Sequence, residues 1–161
     1  MNNVIDSVAN VMQEDGFNFD QNPNSGAISL RIPGRVGILD VSIFVNENMN
    51  VLLLFVSSFY RVQPDRRGEI AELITRANYG LNIGCFELDM SDGEIRFRMS
   101  SFLDEVNITD SFIRRIIGVA ATIYDHYLPE IMLVDFGEID IDEAIYRTEA
   151  RILDNESDVM H

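Results

Sequence analysis

The dipeptide Asp92-Gly93 constrains this chain more than any other feature. Flanked by alternating apolar residues, it is the strongest short-range signal for a two-residue hairpin turn. With those two residues in the turn, Ser91 faces Glu94, Met90 faces Ile95, Asp89 faces Arg96, Leu88 faces Phe97 and Glu87 faces Arg98. Every apolar residue meets an apolar one and both acids meet arginines. Cross-strand pairs of this kind contribute roughly 0.2–1 kcal/mol each and specify register. One face of the hairpin is then core and the other a charge ladder in water.

Further strands precede it. Ile28, Leu30 and Ile32 alternate with Ser29 and Arg31 until Pro33-Gly34, and Leu39, Val41, Ile43 and Val45 share one face of the next strand. Residues 46–50, rich in Asn, turn the chain, since Asn tolerates left-handed backbone. The strand that follows opens on the longest apolar run, Val51-Leu52-Leu53-Leu54-Phe55-Val56. A run apolar on both faces is either covered on both or carries one sticky face. The sequence leaves the inward face open: Leu52, Leu54 and Val56 on one side, Leu53 and Phe55 on the other.

Helical spacing accounts for the rest. Val4, Ile5, Val8, Val11 and Met12 follow a cap at Asn3 and stop at Gly16. Pro64-Asp65 opens a second helix with Ile70, Leu73, Ile74 and Ala77 on its stripe and Gly80 at its end. Thr109 caps a third, whose Phe112, Ile113, Ile116, Ile117, Ala120, Ile123, Tyr124 and Tyr127 leave only a narrow polar stripe; Pro129 should kink or end it. Asp142 can cap a last helix carrying Ile145, Thr148 and Ile152, with residues 155–161 as a disordered tail.

Composition bounds the class. A chain of 161 residues, 47% apolar and 24% charged, suits one globular domain. Its longest apolar run falls far short of the roughly 20 residues of a membrane span, and the N-terminus lacks a signal-peptide pattern. A lone Cys85 forms no internal disulfide, which fits a reducing, cytoplasmic setting. The formal charge of −15 weighs against nucleic acid and anionic lipid as partners.

Candidate chemistry is thin. His126 lies beside Asp125 near the end of the third helix, where an imidazolium complements the helix dipole; His161 is terminal. Cys85 beside Phe86 reads as a small hydrophobe of a strand. The acidic run Asp135, Glu138, Asp140, Asp142 and Glu143 lacks the glycine-centred spacing of a calcium loop. Asp135-Phe136-Gly137 has no accompanying glycine-rich or catalytic loop of a kinase. The reading is therefore of no catalytic, cofactor or metal residues. Its rival is a small-ligand or metal-dependent enzyme centred on His126 and the nearby acids.

The stretch Ala77-Asn78-Tyr79-Gly80-Leu81-Asn82-Ile83-Gly84-Cys85-Phe86-Glu87-Leu88-Asp89 resembles the YbjN-like family. Its members show a helix ending in asparagine, a short loop, a G-x-F-E-x-D strand and then D-G-E-I-R-F-R, here Gly84, Phe86, Glu87, Asp89 and Asp92 to Arg98. Tyr124, Tyr127 and Pro129 fit the following helix, and the likeness spans residues 3–136, leaving a helix at 138–154 as an addition. The resemblance implies an α+β fold like type III secretion chaperones: a twisted antiparallel sheet with helices packed on it, dimeric, binding extended protein segments through apolar sheet surface. Members are described as bacterial sensory-transduction or stress regulators without established enzymatic activity.

The expected function is a non-enzymatic, chaperone-like adaptor or regulator that binds a protein segment through Leu52, Leu54 and Val56 or through Leu53 and Phe55. No cofactor is expected. The excess of apolar faces, with the resemblance, predicts a homodimer. Light scattering from micromolar concentration upward should return twice the chain mass; a monomer mass throughout refutes it.

Overall fold

The computed structural model describes residues 4–103 and 108–158, with side chains described through residue 150. Its elements are α1 (Val4–Glu14), β1 (Phe19–Gln21), β2 (Ile28–Gly34), β3 (Gly37–Asn46), β4 (Val51–Arg61), α2 (Arg67–Gly80), β5 (Cys85–Leu88), β6 (Glu94–Phe102), α3 (Asp110–Asp135) and α4 (Ile141–Asp158). The strands make one antiparallel sheet in the order β1-β2-β3-β4-β6-β5. The class is α+β. The expected Asn3 cap and the tail at 159–161 lie outside the described residues, whereas 155–158 continue α4.

The β3–β4 hairpin decides which side of the sheet is inward. Val45 pairs with Leu52, Ile43 with Leu54 and Val41 with Val56. All but the half-buried Val45 are buried, and α1 and α3 pack on that side. Asn50 takes the left-handed conformation (φ 52°) that the turn needs.

The β5–β6 hairpin differs from the sequence expectation. Phe86 pairs with Phe97, Glu87 with Arg96 and Leu88 with Ile95, so each partner sits two residues away from the expected one. The turn is longer than two residues: Asp89 N donates to Glu94 O (2.9 Å) and Gly93 N to Asp89 O (2.8 Å). Side chains explain the lengthening. The Asp89 carboxylate accepts from Ser91 N (2.8 Å) and Ser91 Oγ (2.6 Å), and Asp92 accepts from Glu94 N (2.8 Å). Asp89 thus satisfies a turn amide instead of facing Arg96, and Asp92 stays in the turn as a second such acceptor. A shift of two preserves the faces, so Phe86, Ile95 and Phe97 remain buried while Met90 is left exposed in the loop.

Two helix expectations also change. α3 does not end at Pro129 but runs to Asp135. A mid-helix proline costs about 3 kcal/mol, and burial beyond it opposes that cost: Ile131 and Val134 are wholly inside, and Asp135 accepts from Tyr60 Oη and Gln63 N. α4 is capped by Asp140, whose carboxylate accepts from Glu143 N (2.8 Å), and not by Asp142, which pairs with Arg76. α3 keeps its expected cap, with Thr109 Oγ1 accepting from Phe112 N (3.2 Å). α4 docks on α3 and α2 through buried Ala144 and Thr148; the side chain of Ile152 lies outside the described residues.

Gly93 has φ +82°, and a Cβ there would lie 2.4 Å from Val62 O, on the chain leading out of β4. Gly93→Val should therefore destabilise by at least about 1–3 kcal/mol. Arg96→Glu, which disturbs an exposed pair, should cost under about 1 kcal/mol. Urea titrations of both variants check the order; Arg96→Glu as the worse one contradicts this hairpin.

Candidate functional site

With the helices against one face, the residues that alternate with the core form the other. On β3 and β4 these are Phe44, Leu53 and Phe55, all half-buried and none of them packed against the core. Phe44 and Phe55 stack with ring centroids 5.8 Å apart, and Leu53 sits opposite Phe44 in the ladder. On the same side of the sheet Ile38 and Phe59 are exposed beyond the polar row of Asp40 and Ser57, and Phe102 is exposed opposite Val51. A monomeric protein rarely leaves contiguous aromatic and aliphatic surface of this kind uncovered.

Arginines frame the strip. The Arg96 guanidinium lies 4.3 Å over the Phe55 ring, a cation–π geometry, and its Nε donates to Glu87 Oε2 at 2.6 Å. Arg98 Nε reaches the other oxygen of Glu87 at 2.8 Å, so one carboxylate serves two arginines. Arg31 pairs with Asp40 (3.2 Å) and Arg61 with Glu94 (3.6 Å). With Asp20, the outward-facing charges of the strands cancel. The face is neutral on a molecule of formal charge −15, where a like-charged protein meets the least repulsion.

The structure separates the residues read from the sequence. Leu52, Leu54 and Val56 lie in the core, while Leu53 and Phe55 are on the open face. Asp125 Oδ1 accepts from Arg35 N at 2.7 Å and holds the β2–β3 turn; His126 is half-buried beside it. Asp135, Asp140, Asp142 and Glu143 are each committed to a separate structural contact, and Glu138 is exposed. Among the described residues no group of three or more His, Cys, Asp or Glu is placed to hold a metal ion. Cys85 is half-buried on β5, with Arg98 Nη2 3.6 Å from its sulfur.

Sequence reasoning missed Phe44 and Arg96 as members of this face. Their signal was the alternation of β3, which put Phe44 opposite the core set, and the sequence pattern offered Arg96 only as a pair for Asp89. No described helix is long and apolar enough to cross a membrane.

The family model YbjN, described as "Putative bacterial sensory transduction regulator", matches residues 5–132. A search of curated proteins returned no match. The crystal structure of YbjN from E. coli, titled a transcription regulator of putative role, aligns at TM-score 0.57 and 16% identity, covering 73% of this chain and 83% of that one. The crystal structure of the ExsC–ExsE complex supplies a chain that aligns at TM-score 0.55 and 17% identity, covering 73% and 84%. At these identities the likeness shows the fold, which is the type III secretion chaperone-like α+β architecture.

Beneath the open face, buried tyrosines tie α3 to the sheet. Tyr124 Oη lies 2.9 Å from Ser58 Oγ and donates to Ile95 O (3.1 Å). Burial pushes the Tyr124 hydroxyl up to about 12, and burial with the Asp135 carboxylate raises Tyr60 as well. A folded-state value above the unfolded one, near 10, means the native state holds its protons more tightly. That stability is fully present below pH 10 and lost as pH rises toward 12. Urea midpoints should fall across this window, and Tyr124→Phe should shrink the fall; an unchanged fall contradicts the assignment.

Proposed function

The chain belongs to the YbjN family, and on that premise we propose that it is a non-enzymatic, chaperone-like adaptor or regulator that binds a segment of a partner protein across the open face of its sheet. The observation that carries this reading is the uncovered strip of Phe44, Leu53 and Phe55 at the centre of the sheet. An apolar strip with polar margins suits an extended segment whose alternate side chains point into it, while arginine and glutamate at the rim set orientation. That a chain of the same fold occurs in a complex, ExsC with ExsE, supports a protein as the partner class.

The same reading takes residues 3–136 as the family domain and the helix beyond Glu138 as an addition to it. It takes the protein to act in the cytoplasm, in regulation linked to stress, and to work as a homodimer. No observation favours the enzyme alternative: the acids near His126 are dispersed among turn, cap and helix contacts.

Two double variants test the site. Leu52→Lys with Leu54→Lys should unfold the chain, because both positions are 1% exposed and burying unpaired ammonium groups costs several kcal/mol. Leu53→Lys with Phe55→Lys should stay folded by circular dichroism and lose at least tenfold in partner capture from lysate. Capture undiminished in that folded variant overturns the open face as the site.

A further inference from the structure

A sheet can also recruit a partner through an edge, where backbone groups lack a neighbour. Two stretches of edge here are closed. The outward-facing backbone of Phe86 on β5 is occupied by the Asn78 carboxamide: Phe86 N donates to Asn78 Oδ1 (2.7 Å), and Asn78 Nδ2 donates to Phe86 O (3.0 Å). One side chain of α2 thus satisfies a donor and an acceptor as a neighbouring strand would. At the other end, β1 pairs only with the first residues of β2, and Asn22 N donating to Ala27 O shows that odd-numbered residues of β2 face β1. The exposed remainder of β2 therefore presents Pro33, which has no N–H to offer.

The second half of β6 is different. β5 pairs with Ile95 to Arg98 only, whereas β6 runs on to Phe102. Gly84 is the reason β5 stops short. Its φ of +69° turns the chain away, and a Cβ there would lie 2.5 Å from the Phe97 ring. Leu103 N donates to Asn50 O and Asp89 N to Glu94 O, so odd residues of β6 bond toward β4 and even ones toward β5. Ser100 and Phe102 consequently direct their N–H and C=O groups past the end of β5, where among the described residues no strand pairs with them. Alongside lies a cleft of about 350 Å³ that Ile83, Cys85, Arg98, Phe112 and Ile116 help to line.

We propose that the β6 edge at Ser100 and Phe102, with the adjoining cleft, is a strand-acceptor site for the extended main chain of a protein partner. The added segment continues the line of β5, exchanges hydrogen bonds with Ser100, and places one apolar side chain in the cleft against Phe112 and Ile116. Arg98 at the cleft favours a carboxylate on the segment over an ammonium. The inference rests on the reading of this chain as a binder of extended protein segments, and assigns such a segment a second, backbone-mediated contact beside the open face.

The full-length protein is used to select binders from a random twelve-residue peptide display library, and the enriched peptides are the probe. Bound peptide should slow hydrogen exchange at the Ser100 and Phe102 amides. Ser100→Pro removes an N–H that no strand among the described residues uses, so it should keep the wild-type circular dichroism and weaken binding at least tenfold; Ser100→Ala should bind as wild type. Backbone N-methylation of the peptide should abolish binding, an arm that needs no folded variant. Equal affinity of Ser100→Pro and wild type, insensitivity to N-methylation, or no enriched peptide overturns the proposal. Binding lost on Leu53→Lys with Phe55→Lys but unaffected by Ser100→Pro keeps the open-face reading and rejects the edge.

Discussion

The structure depends on the two-residue period of β3 and β4. Along these strands Val41, Ile43, Leu52, Leu54 and Val56 point to one side and are sealed there by α1 and α3. Strict alternation then forces Phe44, Leu53 and Phe55 to the other side, because successive side chains of a strand cannot share a face. Burying one set of apolar residues presents the second. A polar residue at Leu53 or Phe55 would serve the fold as well, so the apolar strip is not explained by the core.

The helices stay on their side through specific polar contacts as well as apolar area. Tyr124 joins α3 to Ser58 of β4 and Ile95 of β6, and Asp135 at its far end accepts from Tyr60 and Gln63. Arg66 Nη2 reaches Val134 O at 2.5 Å, satisfying a carbonyl in the last turn of α3. These contacts straddle Pro129. They show how a helix with an interior proline remains one element: both halves are held by the sheet, and the missing backbone bond is a local loss.

Much of this was legible in the sequence where a local rule acts alone. The stripe Ile70, Leu73, Ile74 and Ala77, the Thr109 cap and the left-handed turn before Val51 follow from spacing and backbone preference. The rule failed where side chains compete for the same backbone. Asp89 could pair with Arg96 or cap a turn amide, and the local hydrogen bond from Ser91 two residues on prevailed, with Asp92 capping Glu94 N in the lengthened loop. A helix end at Pro129 and a cap of α4 at Asp142 do not occur, because the outcome is set by tertiary burial beyond the proline and by Arg76, which draws Asp142 away. For the site, the sequence narrowed the choice to two faces of 51–56, and only the β3–β4 register distinguishes the buried face from the open one. The role of Asn78 at the β5 edge needed three dimensions, although the asparagine itself stood in the family-like stretch.

The central claim is that partner protein meets the open sheet face and not the helical side. Site-specific photo-crosslinking in cells reads this directly, with a photoreactive phenylalanine analogue placed at Leu53, at Phe44, or at exposed helix positions Thr75 and Arg115. The account predicts adducts with a second protein from the two sheet positions and none from the two helix positions. Adducts formed from Thr75 or Arg115, with Leu53 and Phe44 silent, would contradict it.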